Sequence, residues 1–519
     1  MIQEPSKLSE TIIKNINPQS KIAFISTIIV GIINYFYFMA HHVKAPDAVN
    51  IGHYHISNEW ELSLGRFGLR FVDLLRGGIV NENLLIISSI LLIAIATGFL
   101  VSILNIHDNF LVILISALFI SAPQLADTYM FIYCADAYSL SILLSILSVW
   151  FLRKKTYRGY ILAMLLLAAS ASLYQAYIGI ALSLCLILTI IELISNTTFQ
   201  QSFRTLIKYM FTMLGGLLIY YGMERVILAI TGTELASYKG ASDFGIVSLI
   251  GQMKTSIPQA YKDFYEYFLA DNILRNDYWN RKIIHALLIL CVLFVLGILL
   301  IQIEEIWSKF FVIFLCVILP LTINVMDLIA PTTNINLVTG TPLLCIYFLV
   351  FGLYGCLRQS NNLNNLLKHS IVFLNIWLIF TFINSNNVSF KCREEVYNHF
   401  YATHANIINR VEALPGYNTE LRWCFNDIVR YSSSLTPMSN GFIAYDNEVW
   451  NVYGGLSVTQ AFYEEYYGKI IQLCSWEEYD SIVEGNEYTN MPSFPDDGSI
   501  KIIDNIVVIK LNDFRFDQE

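Results

Sequence analysis

The chain has 519 residues, of which 55% are hydrophobic and only 14% are charged, against about 25% charged in soluble globular proteins. This composition excludes an ordinary soluble fold and indicates a bilayer, because each spanning helix exposes about 20 mostly apolar residues to lipid. The net charge of −9 comes from the C-terminal part, where 20 acidic and 9 basic residues follow position 385. An acidic segment after a nearly neutral apolar body excludes nucleic-acid binding, which requires a basic surface.

Eleven apolar stretches predict an all-α polytopic membrane protein with about eleven transmembrane helices. In chain order they comprise residues 21–40, 83–104, 110–125, 137–152, 160–173, 176–194, 209–230, 283–301, 310–329, 337–357 and 371–383. About twenty polar residues precede the first stretch. No small-residue cleavage site follows it, so we expect it to act as an uncleaved anchor.

Basic residues in the short loops predict the orientation. The strongest cytoplasmic marker is the Arg-Lys-Lys-Thr-Tyr-Arg loop at residues 153–158, and lysines put the N-terminus on the same side. Eleven crossings then place the C-terminus outside the cytoplasm. We therefore expect a multi-pass membrane protein with two long external loops, residues 41–82 and 231–282.

The C-terminal part contains no further spanning stretch. We predict a membrane-embedded body over residues 1–385 and a small α+β domain, facing the periplasm, over residues 386–519. Residues 394–414 have helical periodicity, whereas residues 441–449 and 500–511 have the β-branched, alternating character of strands.

The first external loop concentrates side chains suited to glycosyl transfer from a polyprenyl phosphate. Such a transfer needs a carboxylate to accept the proton of the attacking hydroxyl and a cation to hold the departing phosphate. Asp47, backed by Glu59 and Glu61, is the candidate base, and Arg66 or Lys44 is the candidate phosphate ligand. The alternative is that these residues only solvate a loop and that Asp47 caps a turn.

The same loop contains four histidines, at positions 41, 42, 53 and 55. His53 and His55 would share a strand face rather than a helix face. No HExxH motif and no cysteine partner accompanies them. We therefore predict no metal ligands and no cofactor, although a divalent cation bridging Asp47 and a sugar phosphate is compatible with the sequence.

Two further clusters carry candidate sugar ligands. Asp127 and Asp136 lie between two apolar stretches, where carboxylates near membrane depth usually mark a site or cavity. The alternative for Asp136 is a helix N-cap. Tyr174 and Gln175, between two other stretches, suit hydrogen bonding to a sugar, and their alternative is the aromatic belt at the headgroup level.

Polar residues also lie near the predicted outer ends of two other helices. Glu224-Arg225 would form either a buried ion pair or a substrate contact, and Asn324 and Asp327 are comparable. With the predicted topology all of them converge on the outer leaflet. The sequence thus predicts a cleft that a lipid donor enters laterally and an acceptor enters from solvent.

Three stretches resemble the type II O-antigen glucosyltransferases, the serotype-conversion enzymes of enteric bacteria and their phages. The first is Pro46-Asp47 followed by Trp60 and Gly65-Arg66. The second is Ser-Leu-Tyr-Gln at residues 172–175. The third is Met-Pro-Ser-Phe-Pro-Asp-Asp-Gly-Ser-Ile at residues 491–500, followed by Asp-Asn-Ile-Val-Val at residues 504–508.

The resemblance implies a GT-C type fold with catalytic carboxylates in the first external loop. It implies undecaprenyl-phosphate glucose or a related hexose donor and a glycan acceptor, typically lipopolysaccharide O-antigen. Asp47 would deprotonate the acceptor, and Arg66, with Lys44, would neutralise the leaving phosphate in one inverting displacement. Glu59 and Trp60 would contact substrate. Related enzymes often have paired acids in this loop, whereas Asp47 follows a proline here.

The resemblance also implies functional partners, namely a synthase and a flippase that supply the lipid-linked sugar. The main alternative function is a polytopic transporter or flippase of a lipid-linked sugar, which would use a similar body with intramembrane charges. The missing inverted repeat and the large external domain argue against it. A second alternative is an accessory membrane protein that anchors an assembly machine.

Overall fold

The computed structural model describes residues 17–41, 44–195, 197–236, 246–270, 279–330, 336–357, 362–427 and 456–513. Helices dominate this part of the chain, and a three-stranded sheet lies near the C-terminus. The chain divides into two compact units. The first contains Met1–Met39 and Ile56–Asn386, and the second contains Ala40–His55 and Asn387–Glu519.

The first unit is a helical body whose long helices are joined by short ones. Its helices are α1 (Pro18–His41), α3 (Glu59–Ser63), α4 (Phe67–Leu75), α5 (Glu82–Leu104), α6 (Asn109–Ser121), α7 (Pro123–Thr128), α8 (Ala135–Leu152), α9 (Tyr157–Leu173), α10 (Ile178–Ile194), α11 (Phe199–Thr231), α12 (Ile246–Tyr265), α13 (Trp279–Gln302), α14 (Ile306–Ile323), α15 (Val325–Ile329), α16 (Cys345–Cys356) and the first half of α17 (Asn362–Glu412). Short helical turns occupy Tyr129–Cys134, Gln175–Tyr177, Glu266–Ala270 and Thr341–Leu344.

Eight helical segments among the described residues are long and apolar enough to cross a membrane. One of them, Asn109–Leu152, combines several of these elements, and the apolar α9 and α16 are shorter than the other segments. All eleven predicted apolar stretches coincide with helical segments. The chain is therefore a membrane protein, while the number of eleven crossings and the side of the C-terminal domain stay predictions.

Side-chain caps explain where several of these helices begin. The side chains of Asn81, Asp108 and Thr156 accept the backbone N–H of the residue three positions later, at 3.0–3.1 Å, before α5, α6 and α9. Each cap satisfies one of the donors that a helix leaves free in its first turn. These polar residues directly precede apolar runs, which is why the sequence predicts these starts to within a few residues.

Serines hold α8 against α9. Ser141 donates to the Ser170 carbonyl at 2.9 Å, and the hydroxyls of Ser145 and Ser170 lie 2.9 Å apart. Small hydroxyl residues allow close helix approach and hydrogen bonds across helices within a membrane. The interface fixes the end of α9, which leads into the 172–175 segment.

The second unit combines a mixed sheet with helices. It contains α2 (Pro46–Ile51), the rest of α17, β1 (Arg422–Phe425), α18 (Leu456–Tyr467), α19 (Trp476–Val483), α20 (Asn486–Thr489), β2 (Ile500–Ile503) and β3 (Ile506–Ile509). Strand β3 is central, parallel to β1 and antiparallel to β2. α2 packs on α18, and Val49 joins a buried cluster with Phe400, Phe462 and Tyr463.

The structure corrects two predicted elements of this unit. The predicted helix at 394–414 is continuous with the apolar stretch at 371–383, forming the single helix α17. The predicted strand at 500–511 is a hairpin, because Asp504 and Asn505 adopt positive φ angles of 47° and 59°, as the tightest hairpin turns require. The predicted strand at 441–449 lies outside the described residues.

Candidate functional site

Arg66 lies at the start of α4 in a mainly aromatic environment. Its guanidinium carbon is 4.7 Å from the centroid of the Tyr174 ring, and Nη1 is 3.4 Å from the Tyr138 hydroxyl. Its buried Nε has no hydrogen-bond partner among the described residues. Burial lowers the pKa of Arg66, but nearby phenol and thiol groups raise it, leaving it above its ordinary value. Arg66 is therefore a permanent cation.

The turn before Arg66 is held by side chains distant in sequence. Gln175 Nε2 donates to the Leu64 carbonyl at 2.7 Å and to the Tyr220 hydroxyl at 2.9 Å. That hydroxyl lies 2.9 Å from Glu224 Oε1 and 3.1 Å from the Gly65 carbonyl. Because hydrogen bonds from two helical segments converge on one turn, the direction in which Arg66 leaves the chain is fixed.

Close packing extends along the Gly-Arg-Phe-Gly segment. The Phe67 ring stacks on the Tyr220 ring, with centroids 5.9 Å apart and an interplanar angle of 11°. A Cβ on Gly68 would overlap the Ser172 hydroxyl and approach its backbone to 3.0 Å. The structure thus packs the segments at 65–68 and 172–175 together, although about a hundred residues separate them.

Gly65→Ala is expected to impair this site. Gly65 has φ +74°, and a Cβ there would overlap Glu224 Oε1 and the Tyr220 hydroxyl. The left-handed backbone costs a non-glycine residue roughly 1–2 kcal/mol, and the overlap displaces the hydrogen bonds that position Arg66. Since a small misplacement can cost up to about 100-fold in rate, the activity of this site, measured in membranes, should fall at least about 10-fold.

Gly77→Ala is the matched control for this substitution. Gly77 also has a positive φ, +68°, but a Cβ there meets no described atom within 4 Å. Both variants carry the cost of a left-handed backbone, and the overlap at Gly65 adds to it, so Gly65→Ala should have the lower melting temperature and only Gly65→Ala should lose activity. Equal activities of the two variants would show that packing around Gly65 has no part in function.

Asp136 is engaged by Arg76. Its Oδ1 accepts Arg76 Nη1 at 2.7 Å and the Ala137 N–H at 2.8 Å, and Arg76 also pairs with the buried Asp73. The alternative that Asp136 is an N-cap is wrong, because Cys134 is the N-cap residue of α8 and Asp136 belongs to the first turn. Asp136 stays a predicted sugar ligand, with its charge already compensated.

The other predicted ligands of the first unit differ in exposure. Asp127 is buried in α7, and Tyr174 is buried beside Arg66. Glu59 is exposed in the first turn of α3, and Trp60 exposes 53% of its surface. Only Tyr174 and Gln175 are brought together with Arg66 by the contacts above.

Asp47 and Lys44 belong to the second unit. Asp47 is exposed in the first turn of α2, and the residue at the N-cap, Ala45, makes no side-chain cap. Lys44 is buried and forms an ion pair with Glu465. Lys44 stays a predicted phosphate ligand, but its charge is already compensated, whereas Arg66 has no carboxylate among the described groups that act on it.

Two histidines of the first external loop lie beside carboxylates of their own unit. His41 Nδ1 lies 2.8 Å from Glu394, and His53 lies 3.6 Å from Glu465. Within the described ranges, no three His, Cys, Asp or Glu side chains are arranged to hold a metal ion. His42 lies outside the described residues.

The predicted Glu224–Arg225 ion pair is not formed. Glu224 is buried beside the Tyr220 hydroxyl, whereas the Arg225 guanidinium lies 4.9 Å from the Tyr221 ring centroid. Neighbouring residues on a helix do not face each other. The sequence analysis missed Tyr220, although its spacing of four residues from Glu224 on a helix could have indicated the contact.

Asp327 is buried, and its main neighbour is a residue that the sequence analysis missed. It interacts directly with Asp263 of α12. Burial raises the pKa of Asp327, and the adjacent Asp263 raises it further. Burial likewise raises the pKa of Asp263. The two carboxyl groups thus disfavour simultaneous ionisation in the absence of a cation.

A protein-family model described as glucosyl transferase GtrII matches residues 36–357, more than half of the chain. The matched range includes Asp47, Arg66 and Gln175. Searches of curated proteins and of solved structures each gave no significant match.

Proposed function

The chain belongs to the glucosyl transferase GtrII family, and on that premise we propose that it transfers glucose from undecaprenyl-phosphate glucose to a cell-surface glycan. The family membership confirms the resemblance inferred from the three sequence motifs. The proposed acceptor is lipopolysaccharide O-antigen, and the proposed location is the periplasmic face of the bacterial inner membrane. A synthase and a flippase for the lipid-linked sugar are the proposed functional partners.

The observation that carries the donor assignment is the state of Arg66. Arg66 is half-buried, and a guanidinium withdrawn from water normally has a carboxylate or several hydrogen-bond acceptors around it. Arg66 instead has a tyrosine ring, a distant hydroxyl and an Nε that no described atom satisfies. A phosphate oxygen supplies both the missing acceptor and the missing negative charge, and planar guanidinium groups bind phosphate in two-pronged geometry.

The aromatic side chains beside Arg66 suit the sugar of the same donor. The Tyr138 and Tyr174 rings have centroids 4.3 Å apart, and Tyr177 lies 4.9 Å from Tyr174. Such a wall excludes water and so strengthens the attraction between Arg66 and a phosphate. Tyr174 and Gln175 are the proposed sugar-contacting residues, together with Asp127, Asp136, Glu59 and Trp60.

The proposed reaction is a single displacement. An acceptor hydroxyl loses its proton to the Asp47 carboxylate while its oxygen bonds to the anomeric carbon of the glucose. The bond from that carbon to the phosphate oxygen breaks, and polyprenyl phosphate leaves with the electron pair. Arg66 stabilises the charge that develops on the phosphate, the largest kind of contribution in many enzymes.

Glycan analysis of strains with and without the gene tests the proposed function. In a host that supplies donor and acceptor, O-antigen should carry an additional glucose only when the gene is expressed. Radiolabelled glucose should become covalently attached to glycan. If the label only crosses the membrane and the glycan is unchanged, the protein is a transporter of the lipid-linked sugar and not a transferase.

A further inference from the structure

A buried acidic cluster lies in the first unit. Asp263 and Asp327 interact directly, and they expose 3% and 1% of their surfaces. Gln259 donates to Asp263 Oδ1 at 2.8 Å. Asn324, 2% exposed, donates through Nδ2 to the Ala260 carbonyl at 2.6 Å. Two helical segments, α12 and α15, therefore bring carboxyl and amide groups to one buried place.

Several oxygens of this cluster lack a donor. Both Asp327 carboxyl oxygens, Asp263 Oδ2 and Asn324 Oδ1 are buried, and apart from the contact between the two carboxyl groups they have no hydrogen-bond partner among the described residues. No described lysine or arginine forms an ion pair with either aspartate, and the nearby Lys262 is mostly exposed and lies 3.6 Å from Glu266. Burying such acceptors without a partner is costly, and a bound cation would remove this cost.

We propose that Asp263, Asp327 and Asn324 bind a divalent cation that prefers oxygen ligands, of the Mg²⁺, Mn²⁺ or Ca²⁺ class. Such cations accept carboxylate and amide oxygens, and Mg²⁺ in particular is often held by one or two carboxylates with other ligands completing its shell. Two carboxylates and one amide oxygen are therefore enough protein ligands for such a cation. Imidazole and thiolate ligands, which select zinc and softer metals, are not part of it.

The position of the cluster gives the cation a structural consequence. Helix α15 packs against the Gln175–Tyr177 turn, and Gln175 holds the Leu64 carbonyl before Arg66. A cation joining α12 to α15 would brace one side of that turn. The proposed cation site does not depend on the proposed glucosyl transfer, and its test uses no activity measurement.

Manganese binding to the purified full-length protein tests the site. The protein in detergent is washed with chelator and titrated with Mn²⁺, and free Mn²⁺ is followed by electron paramagnetic resonance. One bound Mn²⁺ per chain is expected, with Mg²⁺ or Ca²⁺ competing. Because each carboxylate is a direct ligand, Asp327→Asn and Asp263→Asn should weaken binding at least about 10-fold, and Asn324→Ala should weaken it less. Glu304→Gln, an exposed acid of the same unit, should bind as the wild type does.

Thermal unfolding separates a binding defect from misfolding. In chelator, Asp327→Asn should melt at or above the wild-type temperature, because it removes the cost of burying two facing carboxyl groups. Added Mg²⁺ or Ca²⁺ should raise the melting temperature of the wild type but not of this variant. A wild-type protein that binds no Mn²⁺, or variants that bind it like the wild type, would overturn the proposal and leave the pair sharing a proton.

Discussion

Arg66→Gln is expected to lower glucosyl transfer by about 100-fold or more, as does removal of one preorganised donor at a developing charge. The Arg66 guanidinium lies over Tyr174, its Nε has no hydrogen-bond partner among the described residues, and its proposed ligand is the phosphate of the donor. Glutamine fills similar space without charge. Transfer of labelled glucose from polyprenyl-phosphate glucose, measured in membranes with equal amounts of protein, checks the expectation.

Two further variants refine the prediction for Arg66. Arg66→Lys keeps the charge but loses the planar fork and the stacking on Tyr174, so it should remain well below wild type. Arg70→Gln removes an exposed arginine from the same helix and should leave transfer unchanged. If Arg66→Gln and Arg70→Gln have the same activity, the phosphate is bound elsewhere.

The helical body could be predicted because lipid imposes a strong constraint on sequence. A spanning helix must be apolar over about 20 residues, and all eleven predicted stretches coincide with helices. Caps such as Asp108 mark the starts locally. By contrast, the division of residues 500–511 into two strands depends on backbone angles at Asp504 and Asn505, which composition indicates only weakly.

The sequence could name the segments that carry Arg66 and Gln175, but it could not show how they pair. The segments at 65–68 and 172–175 could be named as motifs, yet only the structure shows Gln175 donating to the Leu64 carbonyl. Pairing across such distances leaves no periodic pattern in the sequence. The same reason explains why Asp263 was missed as the neighbour of Asp327, and why the Lys44–Glu465 ion pair, separated by 421 positions, was not foreseen.

The first external loop shows most clearly what the sequence could not reveal. It was treated as one stretch carrying both Asp47 and Arg66, but the structure assigns these residues to different units. Val49 is buried with Phe400 and Phe462, and Lys44 pairs with Glu465. The acidic C-terminal part therefore forms one core with the short helix that carries Asp47.

Asp47→Asn is expected to lower the turnover number by about 100- to 10,000-fold, the range that general-base catalysis contributes. The substitution preserves size and hydrogen bonding but removes the group that accepts the acceptor's proton. Because Asp47 is exposed in the first turn of α2, folding should be unaffected. The donor KM should change little, whereas Arg66→Gln should raise it, so steady-state kinetics distinguishes the two proposed roles.

Glu477→Gln, which neutralises another exposed acid of the second unit, is the matched control for Asp47→Asn and should transfer glucose at the wild-type rate. Asp47→Glu retains a carboxylate on a longer side chain, so it should recover part of the activity lost in Asp47→Asn. Partial recovery in Asp47→Glu would show that the carboxylate itself is needed, and not only a side chain of similar size. Full activity of Asp47→Asn at equal membrane abundance would move the base role to another carboxylate, with Glu59 the next to test.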